Sequence, residues 1–229
     1  MRSLDENALR TACVLVQDMQ AKRLMKCTAS RARPREPTLA RVRLARWLRE
    51  LRDAMRPRRA TRKHPLPPSL AGWFSVSEID DVEVCAGELF RRAFRAPPPL
   101  TPHHFVARVE VDGEPRTIGY VHYERLDDVY LCGGMCMDER TFRRLDGERR
   151  AALKAAGGVA EQMLRHTFAE LAHAKAIFGY VGDRRAERVD LRAGFQHTGL
   201  EHLIVHWPRR LAAAERQALI ARVAQLGPF

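Results

Sequence analysis

The chain has 229 residues, is 45% hydrophobic and 30% charged, and carries a formal net charge of +12. No apolar run approaches the ~18 residues of a membrane-spanning helix, and the composition is that of a folded chain with a sizeable core. The charge is lopsided: residues 1–65 hold 18 Lys+Arg against 6 Asp+Glu, and residues 66–229 hold 22 of each. A neutral domain, 66–229, therefore follows a basic extension, 1–65, suited to nucleic acid, an anionic surface or an acidic protein partner.

In chain order, residues 5–28 carry apolar positions at helical spacing behind a capping Asp5. Residues 38–55 repeat the pattern, with Val42, Ala45, Leu48, Leu51 and Met55 on one side and arginines over much of the rest. Its stripe can pack on the first helix or on a second copy of the chain, so a homodimer is among the expected partners. The only aromatic there is Trp47, which leaves little for stacking on single-stranded bases. The Pro- and Arg-rich stretch 56–68 breaks any helix and reads as a linker. The first 30 residues hold Asp5, Glu6 and Asp18 and do not read as a signal peptide. Five cysteines at irregular spacing suggest a reducing compartment, and the cytoplasm is expected.

Beyond the linker the period changes. Residues 72–79 predict a strand, and Asp80 or Asp81 caps a helix ending near Phe94. Residues 104–111, 117–126 and 129–137 predict three strands joined by turns at Asp112-Gly113 and Asp127-Asp128, an antiparallel meander. The polar stretch 139–158 is partly helical, and an amphipathic helix opens at Gly157-Gly158. Residues 176–181 form a buried-type strand. A short helix then runs to Gly194, 197–207 form a last strand, and Pro208 opens a closing helix. The His103-His104 pair reads as a solvated turn. The order is β–α–β–β–β–α–β–α–β, a mixed α/β sheet, antiparallel first and helix-crossed later.

The stretch GDRRAERVDLRAGF, residues 182–195, ties this order to a family. With that element order it resembles the acyl-CoA N-acyltransferase superfamily over roughly residues 72–207. In the family the helix after the fifth strand reads Asn-x-x-Ala-x-x-Leu-Tyr-x-x-x-Gly-Phe. Here Asp183 stands at the Asn, Ala186 at the Ala, Val189 at the Leu, Asp190 at the Tyr, and Gly194-Phe195 close the pattern. Asp183 should cap the helix, Ala186 should let it lie close to its neighbour, Gly194 should take a left-handed conformation, and Phe195 should plug the core.

The resemblance implies a mostly antiparallel mixed sheet flanked by helices; the basic helical extension before it and the helix after it lie outside the resemblance and are read from their own residues. It implies an N-acyltransferase that uses acetyl-CoA or another acyl-CoA and a small-molecule or peptide amine as acceptor. The alternative is a binding protein on a degenerate acyltransferase fold, whose basic arm meets nucleic acid or a protein. The family's Arg/Gln-x-x-Gly-x-Gly/Ala cradle for the cofactor's diphosphate corresponds to Ala155-x-x-Gly158-x-Ala160, so Gly157, Gly158, Val159 and Ala160 are cofactor-binding candidates, as is Asp183. Some 20 residues precede this cradle where the family has a short loop; either they help build the site, with Arg140, Arg143 and Arg144 available for phosphates, or they displace a site that has degenerated. Met135, Cys136 and Met137 fall where a splayed strand offers backbone groups to the pantetheine arm. Tyr130 and Asp190 are the candidates for moving protons. Asp190 replaces the family's Tyr and can serve only where burial lifts its pKa well above ~4. Period-two alternation puts Tyr130, Cys132, Gly134 and Cys136 on one face. Cys132, Cys136, His202 and His206 lack the spacing of a metal knuckle, and no metal is expected.

Overall fold

The computed structural model describes residues 65–229. The expected helices over 5–28 and 38–55, and most of the linker, lie outside the described residues. A short 3₁₀ turn, Pro68–Leu70, brings the fully buried Leu70 into the core.

The elements are β1 (Phe74–Ile79), α1 (Val82–Phe94), β2 (His103–Val111), β3 (Glu114–Leu126) and β4 (Val129–Met137). Then come α2 (Glu139–Arg144), α3 (Gly147–Ala155), α4 (Val159–Glu170), β5 (Ala176–Tyr180), α5 (Arg184–Ala193), β6 (Gln196–His197), β7 (Leu203–His206) and α6 (Ala213–Ala224). One seven-stranded sheet runs β1-β2-β3-β4-β5-β7-β6. Its neighbours are antiparallel except β4 and β5, which are parallel. The mixed, mostly antiparallel sheet expected from the sequence is present. A parallel pair needs a crossover, and α2, α3 and α4 supply it.

Local chemistry sets the boundaries. Asp81 caps α1 by accepting from the Val84 amide, and Asp138 and Asp146 cap α2 and α3 in the same way. Asp112 and Gly113 both take positive φ, as a tight hairpin between right-twisted strands demands. Two faces of the sheet are covered. Val121, Tyr123, Tyr130 and Cys132 pack with Met163, Leu164 and Phe168 of α4. On the other face, Val106, Tyr120 and Cys136 meet Phe90 and Phe94 of α1, while Val129, Leu131, Phe178 and Val205 meet Leu219, Ile220 and Val223 of α6.

Four expectations need correcting. The strand expected over 197–207 is two short strands, because Gly199 and His202 take positive φ and turn the chain between them. The closing helix begins at Ala213, not at Pro208. His103 and His104 are part of β2 and are not a solvated turn: His104 is 6% exposed and its Nδ1 lies 2.7 Å from the Tyr120 hydroxyl. Cys136 does not share a face with Tyr130 and Cys132, and the reason is a bulge in β4.

Candidate active site

Along β3 and β4 the register runs Val121 opposite Met135, then Tyr123 opposite Cys132. One β3 residue, His122, therefore faces two β4 residues, Gly133 and Gly134. Such a bulge reverses the alternation beyond it, which is why Cys136 lands against α1. Both glycines are required. A Cβ on Gly133 would collide with His122 Nε2, and one on Gly134 would sit 2.8 Å from Phe94 Cζ.

The imidazole occupies the space that those side chains would need. His122 Nε2 accepts from the Gly134 amide at 3.3 Å, so the ring proton sits on Nδ1, which is buried without a partner among the described residues. Burial pushes the pKa of His122 down to about 4, and the ring is neutral at pH 7.

The bulge also decides where β4 and β5 part. Their pairs run Val129–Ala176, Tyr130–Ile177, Leu131–Phe178 and Cys132–Gly179, and stop. The bulge starts at the next residue, and a bulge bends its strand and steepens its twist. β4 continues to Met137 with β3 beside it, while β5 ends at Tyr180. Met135, Cys136 and Met137 thus lie on β4 beyond the last β5 partner.

Asp190 is carried by α5, the helix that follows β5. α5 is built as the 182–195 motif predicts: Asp183 caps it by accepting from the Ala186 amide at 2.9 Å, and Gly194 ends it at φ 123°. The amides of Gly194 and Phe195 both return to the Asp190 carbonyl. Phe195 is buried and packs edge-on against Phe168. Ala186, expected to allow a close helix contact, is exposed; the buried small residue of α5 is Ala193. The cap occupies the Asp183 carboxylate.

The Asp190 side chain reaches the neighbourhood of Cys132 and Tyr123, and its charge raises the pKa of both. Burial, with the nearby Glu187 charge, lifts Asp190 itself to about 7. Burial pushes the Cys132 thiol up to about 12, so it is no nucleophile at neutral pH. The Tyr123 hydroxyl is 2.6 Å from Thr167 Oγ1, which in turn donates to the Leu164 carbonyl.

Tyr130 is placed differently. It lies two residues before the last β4–β5 pair, 3% exposed, with its hydroxyl 3.3 Å from His103 Nε2 and 3.1 Å from His173 Nε2. His103 Nδ1 is 2.6 Å from Glu78. The chain Glu78–His103–Tyr130–His173 fastens β1, β2, β4 and the turn before β5 at the opposite end of β4 from the bulge.

The start of α4 is the remaining part. Gly157 and Gly158 take φ of 94° and 93°, a region that side-chain-bearing residues rarely adopt. Gly158 is the N-cap and offers no side chain to the first amides of the helix. Met137 and Val159 close over Gly119, whose added Cβ would meet Met137 Sδ at 3.0 Å and Val159 Cγ1 at 3.1 Å. This puts the opened end of β4 beside the uncapped N-terminus of α4.

A groove of about 850 Å³ runs along that N-terminus, lined by Pro65–Pro68, Lys154–Gly157, Glu161, Gln162, Arg165 and Arg192. Ala155 brings no basic side chain, but Lys154, Arg165 and Arg192 line the same groove, and no motif spacing announces them. The stretch before the cradle is α2 and α3, and the end of α3 forms one wall. Arg143 and Arg144 pair with Glu139 and Asp112.

A parallel pair that opens at its upper end beside a glycine-led helix, within this strand order, decides the architecture. This is the arrangement that the resemblance to the acyl-CoA N-acyltransferases implies.

Solved structures similar to this chain include the ribosomal-protein-S18-alanine N-acetyltransferase from Escherichia coli, at 12% identity and TM-score 0.39 over 61% of this chain and 97% of that one. N-acetylglutamate synthase from Neisseria gonorrhoeae, complexed with coenzyme A and N-acetyl-glutamate, matches at 12% identity and TM-score 0.37 over 61% of this chain and 36% of that one. A GNAT-family acetyltransferase from Bacillus anthracis matches at 14% identity and TM-score 0.32 over 54% and 73%. No family model and no curated protein matches the chain. Likenesses of this degree bring no substrate with them.

The cysteines and histidines weighed for metal do not converge. Cys132 and Cys136 face opposite sides, His202 Nδ1 meets the Val181 carbonyl, and His206 stacks on Phe168 with its Nδ1 at the Gly194 carbonyl. Among the described residues, no helix is long and apolar enough to cross a membrane.

Proposed function

We propose that the protein transfers an acyl group from a coenzyme A thioester to an amine, of a small molecule or a peptide. The observation that carries this reading is the end of the β4–β5 pairing at Cys132–Gly179, with a carboxyl whose pKa is near 7 close enough to act on the Cys132 thiol. The residues present suit the ligand. Met135, Cys136 and Met137 offer backbone to the pantetheine arm. Gly157, Gly158, Val159 and Ala160 offer an uncapped helix start to the diphosphate, with Lys154, Arg165 and Arg192 around it.

The chain's own work is positioning and proton transfer. The amine nitrogen bonds to the thioester carbon as the carbon–sulfur bond breaks. Asp190, protonated below its pKa, gives its proton to the departing sulfur. The proton shed by the amine nitrogen returns to the Asp190 carboxylate, so none accumulates. A free thiol and an amide result. Tyr130, held between two histidines, takes no part in this scheme.

The first test is thermal. Acetyl-CoA at millimolar concentration raises the melting temperature by mass action, and thiol release with a panel of amines follows turnover. Absence of any shift with acetyl-CoA, coenzyme A and longer acyl-CoA would overturn the proposal.

A further inference from the structure

The carboxylate of Glu161 lies where an anionic ligand of α4 belongs. Glu161 is the third residue of the helix, and its side chain is 8% exposed. It folds back across the preceding loop: a Cβ on Gly157 would collide with Glu161 Oε2. Two guanidiniums hold it. Arg165 donates to Oε1 through Nε at 3.1 Å and a terminal nitrogen at 2.9 Å, and Arg192 donates to Oε2 at 2.9 Å. Arg165 also donates to the Arg192 carbonyl, which ties α4 to α5.

Burial pushes the Glu161 carboxyl up, and the hydrogen bonds from Arg192 and Arg165 outweigh it, so its pKa ends below the ordinary carboxylate value. Buried charges are tolerated where they are paired in this way. A second feature points to a ligand. Gln162, 3% exposed and lining the same groove, donates its amide to the Ala156 carbonyl at 2.5 Å, and its Oε1 is buried with no partner among the described residues. A buried acceptor without a partner costs free energy, and a ribose hydroxyl or an amide N–H that reached it from the groove would relieve that cost. Lys154, Arg165 and Arg192 together exceed the single charge of Glu161 by two, which matches a diphosphate.

We propose that Glu161 is an internal stand-in for the ligand's diphosphate, holding Arg165 and Arg192 at the groove until coenzyme A takes them over. The inference rests on the acyl-CoA reading above and adds a built-in competitor to it. Ligand and carboxylate contend for the same donors, so the resting affinity is set by how firmly Glu161 is held.

The experiment is calorimetric titration of the full chain with coenzyme A, with adenosine 3′,5′-bisphosphate as a probe lacking the diphosphate bridge. Glu161→Gln is expected to bind coenzyme A about tenfold more tightly, and to gain less for the bisphosphate. Arg165→Met and Arg192→Met are expected to weaken coenzyme A binding about tenfold. If Glu161→Gln does not fold, the two arginine variants decide alone, because a purely structural network would lower their melting temperatures and leave the coenzyme A affinity intact. Wild-type binding with Glu161→Gln unchanged or weaker sinks this inference and spares the function. No binding by wild type and Glu161→Gln alike sinks both.

Discussion

The lower and upper halves of β4 differ in one respect. From Val129 to Cys132 the strand is hydrogen-bonded on both edges and its side chains fill the core. From Gly133 to Met137 it keeps β3 and loses β5. The lower half carries Tyr130, locked in a polar chain. The upper half carries two glycines and the backbone proposed for the ligand. Stability and proposed function are thus separated along nine residues of one strand, and the divide is a bulge wedged by a neutral imidazole.

The heaviest blow to that division is Gly133→Val. Its Cβ cannot coexist with the His122 ring, so the bulge must repack at a cost of about 3 kcal/mol or more, read by chemical denaturation, with loss of the acetyl-CoA melting shift. Retention of that shift would show that the opening does not depend on the bulge.

Asp190→Asn comes next and touches chemistry more than folding. Turnover should fall about 100-fold with coenzyme A affinity unchanged, measured by thiol release and titration. The wild-type rate should decline as pH rises through about 7, where Asp190 loses its proton, and the substitution should remove that limb. A raised folded pKa also means that the native state holds its proton longer, so wild-type stability falls as pH rises from about 4 to 7, and the Asn variant lacks that slope.

How far the sequence carried these expectations differs by element. The two ends of the α5 motif were readable because they act locally, Asp183 capping, Gly194 turning and Phe195 burying, whereas Ala186, whose expected role depends on packing, is exposed. The meander was readable because period-two patterns and turn residues are local too. The parity of β4 was not, since a bulge is fixed by what stands on the neighbouring strand; Gly133-Gly134 opposite a His was the available hint. The groove cations were hidden for the same reason. Arg165 and Arg192 lie on different helices and meet only after α4 and α5 pack, and nothing marks either among 35 arginines.

His122 gives a gentler probe. Its folded pKa of about 4 lies below the ordinary value, so the unfolded chain binds the extra proton first as pH falls. Stability is full above about 6.5 and declines toward 4, and His122→Phe should flatten that acid-side decline in denaturant melts. Tyr130→Phe is expected to do least. Loss of its contacts to His103 and His173 should cost about 1 kcal/mol, with transfer rate and its pH profile unchanged. A changed profile would move proton handling into the lower half of β4.

Pro65–Pro68 form a lip of the α4 groove, and the chain enters there from its most cationic part. Arg165 and Arg192, which line that groove, are themselves partly exposed, so if it seats a diphosphate as proposed, rising salt concentration should loosen its hold.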